Sequence, residues 1–351
     1  GVELVAAFAE GAMSQGVNVV DLGLASTDLL YFAAGSLDAP GAMFTASHNP
    51  AQYNGIKFCL SGARPVGVDS GLNDIREVAV RELAQPSASV ASRGQLSQRN
   101  LLDAFADHVV SFVDQDQLIP LKVVADTANG MGGLVVPAVC ERLPQVQLEV
   151  MFGELDGTFP NHPADPIQPA NQKDLQARVL SGGFDVGLAF DGDADRVFVV
   201  DEKGVGLSGS TTTALLAAAV LRKNPGAKII HNLICSKAVP EVITEYGGVP
   251  IRSQVGHSYI KQLMAETGAV FGGEHSAHYY FLNNYRADSG LIAAMHVFNE
   301  MSRSGEKLSQ VRVPFERYSA SGEINTQVND PLAVIERVGA AFAAFPSDRL
   351  D

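Results

Sequence analysis

Three carboxylates alternate with small residues in the stretch DGDADR at 191–196, namely Asp191, Asp193 and Asp195, and Arg196 follows directly. In an extended chain, side chains at i, i+2 and i+4 share one side. Three anions so close repel one another unless a cation sits among them. Aspartate oxygens suit a hard divalent ion, Mg²⁺ first, with coordination positions left for a phosphate. The nearest competitor is an EF-hand, because Glu202 stands at position twelve of the pattern. Position six, however, is Arg196 where an EF-hand needs glycine. The flanks GLAF at 187–190 and VFVV at 197–200 read as strands, not helices. Metal binding is therefore favoured over an EF-hand and over a solvated acidic turn.

A second stretch, TASHNP at 45–50, places Ser47 before an Asn-Pro turn signal, with His48 beside it and Lys57 ten residues on in YNGIK. His48 is a poor base for Ser47 on this reading, since neighbouring side chains of an extended segment point to opposite faces. No ordered Ser-His-Asp set accompanies it.

A third stretch, GGEHSAH at 272–278, gathers Glu274, His275, Ser276 and His278 behind a Gly-Gly turn. The zincin order is H-E-x-x-H, whereas this is E-H-x-x-H. Glu274 and Ser276, two apart, can both face a ligand and bond hydroxyl groups, as a sugar site requires. A capped surface turn is an equally good reading of these residues alone. Elsewhere, His257 in VGHS reads as a structural histidine, Arg286 in NNYRADSG as a surface charge, and DTANG at 126–130 as a turn.

The elements that must carry these stretches alternate. Residues 1–16 have helical spacing of Leu4, Val5, Phe8 and Met13, stopped by Gly16, and a buried strand follows from Val17. Residues 85–99, rich in Ser, Ala and Gln, read as an inter-domain connection. Strands are expected at 121–126, 187–190, 197–200, 228–230 and 269–271, and helices at 211–221, 240–246 and 259–266. With 351 residues the chain is too long for one core. The expected fold class is α/β and multi-domain.

Composition narrows the function. The chain is 46% hydrophobic and 18% charged, as a globular protein is. The longest apolar run, 214–221, is far short of a membrane span. No charged-then-apolar leader opens the sequence, and Cys59, Cys140 and Cys235 follow no metal or redox spacing. A cytoplasmic protein is expected, with no membrane, nucleic-acid or obligatory protein partner. The net charge of −14 argues against nucleic acid, and it demands local basic residues wherever an anionic substrate binds.

Taken together, the three stretches resemble the α-D-phosphohexomutase superfamily, within it the phosphomannomutase/phosphoglucomutase group. TASHNP with YNGIK is similar to that family's phosphoserine loop, DGDADR to its metal loop and GEHSAH to its sugar-recognition loop. The order is the family's own, and the likeness spans nearly the whole chain. It implies three successive similar α/β domains with mixed sheets around a central cleft, at 1–97, 98–204 and 205–313, and the start of a fourth, α+β domain at 314–351. It also implies reversible phosphoryl transfer between C1 and C6 of a hexose phosphate, through a phosphoserine at Ser47 and a hexose 1,6-bisphosphate. Mg²⁺ would be held by Ser47, Asp191, Asp193 and Asp195. Lys57 would handle a proton or stabilise charge at Ser47, and Arg196 would contact the metal loop or the phosphoryl group. Glu274 and Ser276 would hold O3 and O4 of the sugar, with His257, His278 and Arg286 lining the cleft.

Two family features have no counterpart in these residues: an N-terminal strand with an arginine, and a last-domain loop that clamps the non-reacting phosphate. From them, weak or no turnover by this chain alone is expected. Phosphoglucosamine mutase is an alternative, although His275 stands where that group has glutamine. A non-catalytic metal- and sugar-phosphate-binding protein is another, and a metal-dependent phosphatase a third.

Overall fold

The computed structural model describes residues 1–88, 90–320, 322 and 326–345. The N-terminal part runs α1 (Val2–Ser14), β1 (Val19–Asp21), α2 (Thr27–Ser36), β2 (Gly41–Phe44), β3 (Ile56–Leu60), β4 (Arg64–Pro65), α3 (Leu72–Ala84) and β5 (Leu96–Gln98). Strands β2, β3 and β4 form an antiparallel sheet, and the TASHNP loop is the connection between β2 and β3. The stretch 85–99, expected as an inter-domain connection, contains a short strand. Its end is β5, paired parallel to β1. The pairing is set by Val19, whose N–H donates to the Gln95 carbonyl, and by Asn18, whose side chain accepts from the Gln95 N–H.

The middle part runs α4 (Leu102–Val110), β6 (Leu121–Asp126), α5 (Gly132–Cys140), β7 (Val146–Met151), α6 (Lys173–Gly182), β8 (Val186–Phe190) and β9 (Val197–Asp201). Strand order is β7-β6-β8-β9, with the first three parallel and β9 antiparallel to β8. Every residue of β8 and β9 is buried, which is why both read as unbroken apolar runs in the sequence.

The third part runs α7 (Gly209–Lys223), β10 (Lys228–Asn232), α8 (Ala238–Glu245), β11 (Val249–Ser253), α9 (His257–Thr267), β12 (Phe271–Gly273), β13 (Tyr279–Phe281), α10 (Gly290–Ser304) and α11 (Leu308–Val311). The expected strand at 269–271 begins two residues later, at Phe271. The sheet order is β11-β10-β12-β13, with β13 antiparallel to β12. Both four-stranded sheets thus place their strands in the chain order second, first, third, fourth. Helix α7 is buried from Gly209 to Leu221, all around its circumference. Its small alanine and threonine side chains permit that close packing.

This shared topology positions the chemistry. The acidic loop joins β8 to β9 and the Glu/Ser/His loop joins β12 to β13, the same hairpin of the same sheet plan. Both lie where the third parallel strand ends, the edge at which α/β sheets leave a crevice for ligands. In the region 314–351 the structure describes α12 (Pro331–Ala341), while residues 321, 323–325 and 346–351 lie outside the described residues. Among the described residues no helix is long and apolar enough to cross a membrane, and all three cysteines are unpaired.

Candidate active site

Ser47 sits in a tight turn, closed by the Asn49 N–H donating to the Ala46 carbonyl at 3.0 Å, as its Asn-Pro signal requires. Its backbone is left-handed, with φ at +53°. The Ser47 hydroxyl donates to Asp191 Oδ2 at 3.0 Å and accepts from Arg196 Nη2 at 3.5 Å. His48 does not point away. Its Nδ1 lies 3.2 Å from Ser47 Oγ, because the positive φ breaks the alternation that an extended segment would impose.

The acidic loop is also not extended. Ala194 is left-handed at φ +60°, and its N–H closes a turn onto the Asp191 carbonyl at 3.2 Å. That turn, rather than strand alternation, gathers Asp191, Asp193 and Asp195, whose ligand oxygens all lie within 4.8 Å of one another. All three are buried. Asp191 Oδ2 accepts from Arg196 Nε at 2.8 Å. Asp193 Oδ2 takes three donors: Thr27 Oγ1 at 2.7 Å, Lys57 Nζ at 2.8 Å and Thr45 Oγ1 at 3.2 Å. Lys57 Nζ also donates to Asp195 Oδ2 at 2.7 Å.

The remaining oxygens show what the loop suits. Asp193 Oδ1 and Asp195 Oδ1 are buried and have no hydrogen-bond partner among the described residues. An unpaired buried carboxylate oxygen is costly unless a cation meets it. Burial drives the Asp191 carboxyl up to about 8, despite the opposing pull of the Arg196 guanidinium. For Asp193 and Asp195 burial is the largest single influence and pushes upward, but Lys57 together with the Thr27 hydroxyl at Asp193, and Lys57 together with His278 and Arg196 at Asp195, bring both below the ordinary carboxylate range. Burial would lower the Lys57 pKa. Asp195 and Asp193 instead raise it well above the ordinary value, so Lys57 is a fixed ammonium. Two buried carboxylate oxygens without a hydrogen-bond partner among the described residues, beside the third carboxyl of Asp191, fit a divalent ion.

Backbone packing locks the two loops together. Gly192 turns its α-carbon to the Ser47 carbonyl, leaving no room for a side chain, since a β-carbon there would lie 2.3 Å from that oxygen. From the other side the Met131 N–H donates to the Gly192 carbonyl at 2.9 Å. The DTANG turn, with Ala128 and Asn129 both left-handed, is therefore a buttress for the acidic loop as well as a turn.

In the third loop, Glu274 is buried and its carboxylate is fixed on both oxygens. Oε1 accepts from Asn232 Nδ2 at 3.1 Å and the Gly256 N–H at 3.3 Å, and Oε2 from the Tyr280 hydroxyl at 2.6 Å. His278 connects this loop to the acidic one. Its Nδ1 lies 3.1 Å from Ser276 Oγ and 3.6 Å from Glu274 Oε2, while its Nε2 lies 3.8 Å from Asp195 Oδ1. His275 turns aside onto Ser210 Oγ at 2.9 Å. His257 opens α9, and burial, followed by the Lys261 charge, lowers its pKa to about 4. Arg286, left-handed at φ +61°, has its Nε buried without a partner among the described residues, and no described contact joins it to the three loops. Glu202 is not turned toward the acidic loop, for its carboxylate accepts from the Ser309 N–H and hydroxyl at 3.0 and 2.5 Å. The EF-hand alternative loses its twelfth ligand.

Comparison with known proteins agrees with the order of the three parts. Residues 1–83, 103–204 and 208–318 match, in that order, alpha/beta/alpha domains I, II and III of phosphoglucomutase/phosphomannomutase. A phosphomannomutase of Salmonella montevideo is 41% identical over 354 residues, covering 98% of this chain and 77% of the relative. The chain belongs to the phosphoglucomutase/phosphomannomutase family. A phosphomannomutase of Escherichia coli K12 is 40% identical, with the same coverage of both chains. Among solved structures, a phosphoglucomutase/phosphomannomutase family protein of Burkholderia thailandensis superposes with a TM-score of 0.79 at 33% identity, over 89% of this chain and 68% of that one.

Sequence reasoning missed Thr27 and Thr45, which together supply two of the three donors on Asp193 Oδ2. Thr45 was inside a recognised stretch. Thr27 had only the Ser-Thr-Asp signature of a helix start to mark it.

Proposed function

We propose that this member of the family interconverts mannose 6-phosphate and mannose 1-phosphate, and the glucose phosphates as well, by way of a phosphoserine at Ser47. The observation that carries the reading is the contact of Ser47 Oγ with Asp191 and Arg196, beside two buried carboxylate oxygens that have no hydrogen-bond partner among the described residues. Such transfers depend on positioning and electrostatics more than on covalent help from the protein.

On this reading the phosphoryl group leaves Ser47 Oγ for O6 of a hexose 1-phosphate, and the 1-phosphoryl group of the resulting hexose 1,6-bisphosphate later returns to Ser47. Ser47 Oγ, Asp191, Asp193 and Asp195 would hold Mg²⁺, which supplies positive charge against the transferred group. Arg196 faces the same oxygen and adds charge there. Lys57, kept protonated by Asp195 and Asp193, serves as a charge-stabilising group and not as a base. Glu274, oriented by Asn232, Gly256 and Tyr280, and Ser276 take O3 and O4 of the sugar, with His257 and His278 beside them. Arg286 is assigned to the cleft wall. Lys57 and Arg196 supply the local positive charge that a chain of net charge −14 needs.

The domain division proposed is 1–97 for the phosphoserine part, 98–204 for the metal part, 205–313 for the sugar part and 314–351 for the beginning of a phosphate-binding part. Three unpaired cysteines support a reducing, cytoplasmic setting.

The test is mass spectrometry of the Ser47 peptide after incubation with hexose 1,6-bisphosphate and Mg²⁺. Phosphate on Ser47, absent from Ser47→Ala, is expected. An unmodified peptide in every preparation overturns the reading, and free phosphate as the main product converts it to a phosphatase.

A further inference from the structure

Asp28 is wholly buried in the first turn of α2, outside all three recognised loops. Its Oδ1 accepts from the hydroxyl of Ser26, which N-caps α2, and its Oδ2 from the hydroxyl of Ser289, which N-caps α10, at 2.7 Å. Each serine also accepts from its own helix, Ser26 from the Leu29 N–H at 3.3 Å and Ser289 from the Ile292 N–H at 3.2 Å. One carboxylate therefore ties together the starts of two helices, its bond to Ser289 spanning 261 residues of sequence.

Both helix starts press on the acidic loop. Thr27, adjacent to Asp28, donates its N–H to the Asp193 carbonyl at 3.0 Å and its hydroxyl to Asp193 Oδ2 at 2.7 Å. Gly290, adjacent to Ser289, lies against the backbone of Arg196 so closely that a β-carbon would meet its carbonyl carbon at 2.9 Å. Asp193 and Arg196 are thus held from two sides by residues whose spacing Asp28 fixes. A buried carboxylate is expensive, and a packing role alone would be met better by leucine. Two hydroxyl donors aimed at it keep that cost in check and give the junction a directional bond on each side.

We infer that Asp28 is a positioning residue for the metal loop, setting Asp193 through Thr27 and Arg196 through Ser289 and Gly290. It touches neither the reacting atoms nor the ion, and the inference rests on the reading of Asp191, Asp193 and Asp195 as the metal site. Removing a group that bonds a metal ligand directly, as Thr27 does Asp193, costs roughly 10–100-fold in metal affinity, and Asp28 acts one contact further out.

The experiment measures Mn²⁺ binding to the unphosphorylated protein by electron paramagnetic resonance of the free ion, with thermal midpoints taken in parallel. Asp28→Asn keeps the shape but turns one acceptor into a donor facing a serine hydroxyl. It is expected to weaken Mn²⁺ binding by up to about tenfold, the lower end of the range for a group that bonds a ligand directly. Ser289→Ala removes a single donor and is expected to weaken binding by a smaller factor, and it carries the test where Asp28→Asn does not fold. Asp28→Glu, retaining both acceptors, should recover part of the affinity. Equal Mn²⁺ affinity in wild type, Asp28→Asn and Ser289→Ala overturns the inference while leaving the metal site intact, whatever happens to the midpoints. If the wild-type chain itself binds no Mn²⁺, the metal-site reading falls, and this inference falls with it.

Discussion

The α-carbon of Gly192 rests on the carbonyl oxygen of Ser47, so that the turn carrying Ser47 and the acidic loop meet backbone to backbone across 145 positions of sequence. A methyl group at Gly192 would sit 2.3 Å from that oxygen, inside any tolerable contact. Neither partner is the end of a flexible side chain, so the two loops must separate.

Gly192→Ala is accordingly expected to fold and to lose activity. Misplacement by about 1 Å in such a site costs on the order of 10²-fold in rate. Hexose phosphate turnover and a thermal melt, measured together, check this. Wild-type turnover in Gly192→Ala would show that the contact between the loops is not needed.

Lys57→Met removes the ammonium that spans Asp193 and Asp195 at 2.8 and 2.7 Å. The Lys57 side chain is 23% exposed, but both carboxylates are almost fully buried. Breaking such a pair leaves uncompensated charge, a loss of roughly 3 kcal/mol. The variant is expected to melt lower than wild type in chelator and to gain more than wild type from millimolar Mg²⁺. Equal gains in the two proteins would contradict the assignment of this ammonium to the same charge balance as the ion.

A pH effect follows from His296, buried on α10, stacked on Phe281 at 5.1 Å and edge-on to Phe112 at 6.2 Å. Burial, followed by the charge of Lys223, lowers its pKa to about 4 from 6.5. Above pH 6.5 neither folded nor unfolded chain protonates it. Between 6.5 and 4 the unfolded chain takes up the proton and the folded chain does not, so stability falls as pH falls and the loss is complete near 4. The difference amounts to about 3 kcal/mol. Urea unfolding at pH 7 and pH 4.5 should show wild type losing more than His296→Leu by most of that amount. An equal loss in both would place the acid sensitivity elsewhere.

The chemistry was legible where one stretch carried it whole. Asp191, Asp193, Asp195 and Arg196 stand between two apolar strands that can only be buried, so their loop had to be held at the edge of a sheet. The direction of His48 and the shape of the acidic loop were not legible, because both depend on left-handed backbone at Ser47 and Ala194, which those residue types rarely adopt. The strand at Leu96–Gln98 was hidden by its own brevity and exposure, its one apolar residue, Leu96, being left at the surface. Thr27 and Asp28 were out of reach for a different reason. Their partners lie 166 and 261 residues away, and no local pattern encodes a contact of that span.

In the proposed reaction one serine passes a phosphoryl group between the two ends of a hexose. Phosphorus NMR of mannose 6-phosphate incubated with the protein, Mg²⁺ and a trace of hexose 1,6-bisphosphate tests it most directly. The predicted result is the appearance of mannose 1-phosphate with wild type and its absence with Ser47→Ala. Formation of mannose 1-phosphate at the same rate by Ser47→Ala, or conversion of substrate only to inorganic phosphate, would contradict it.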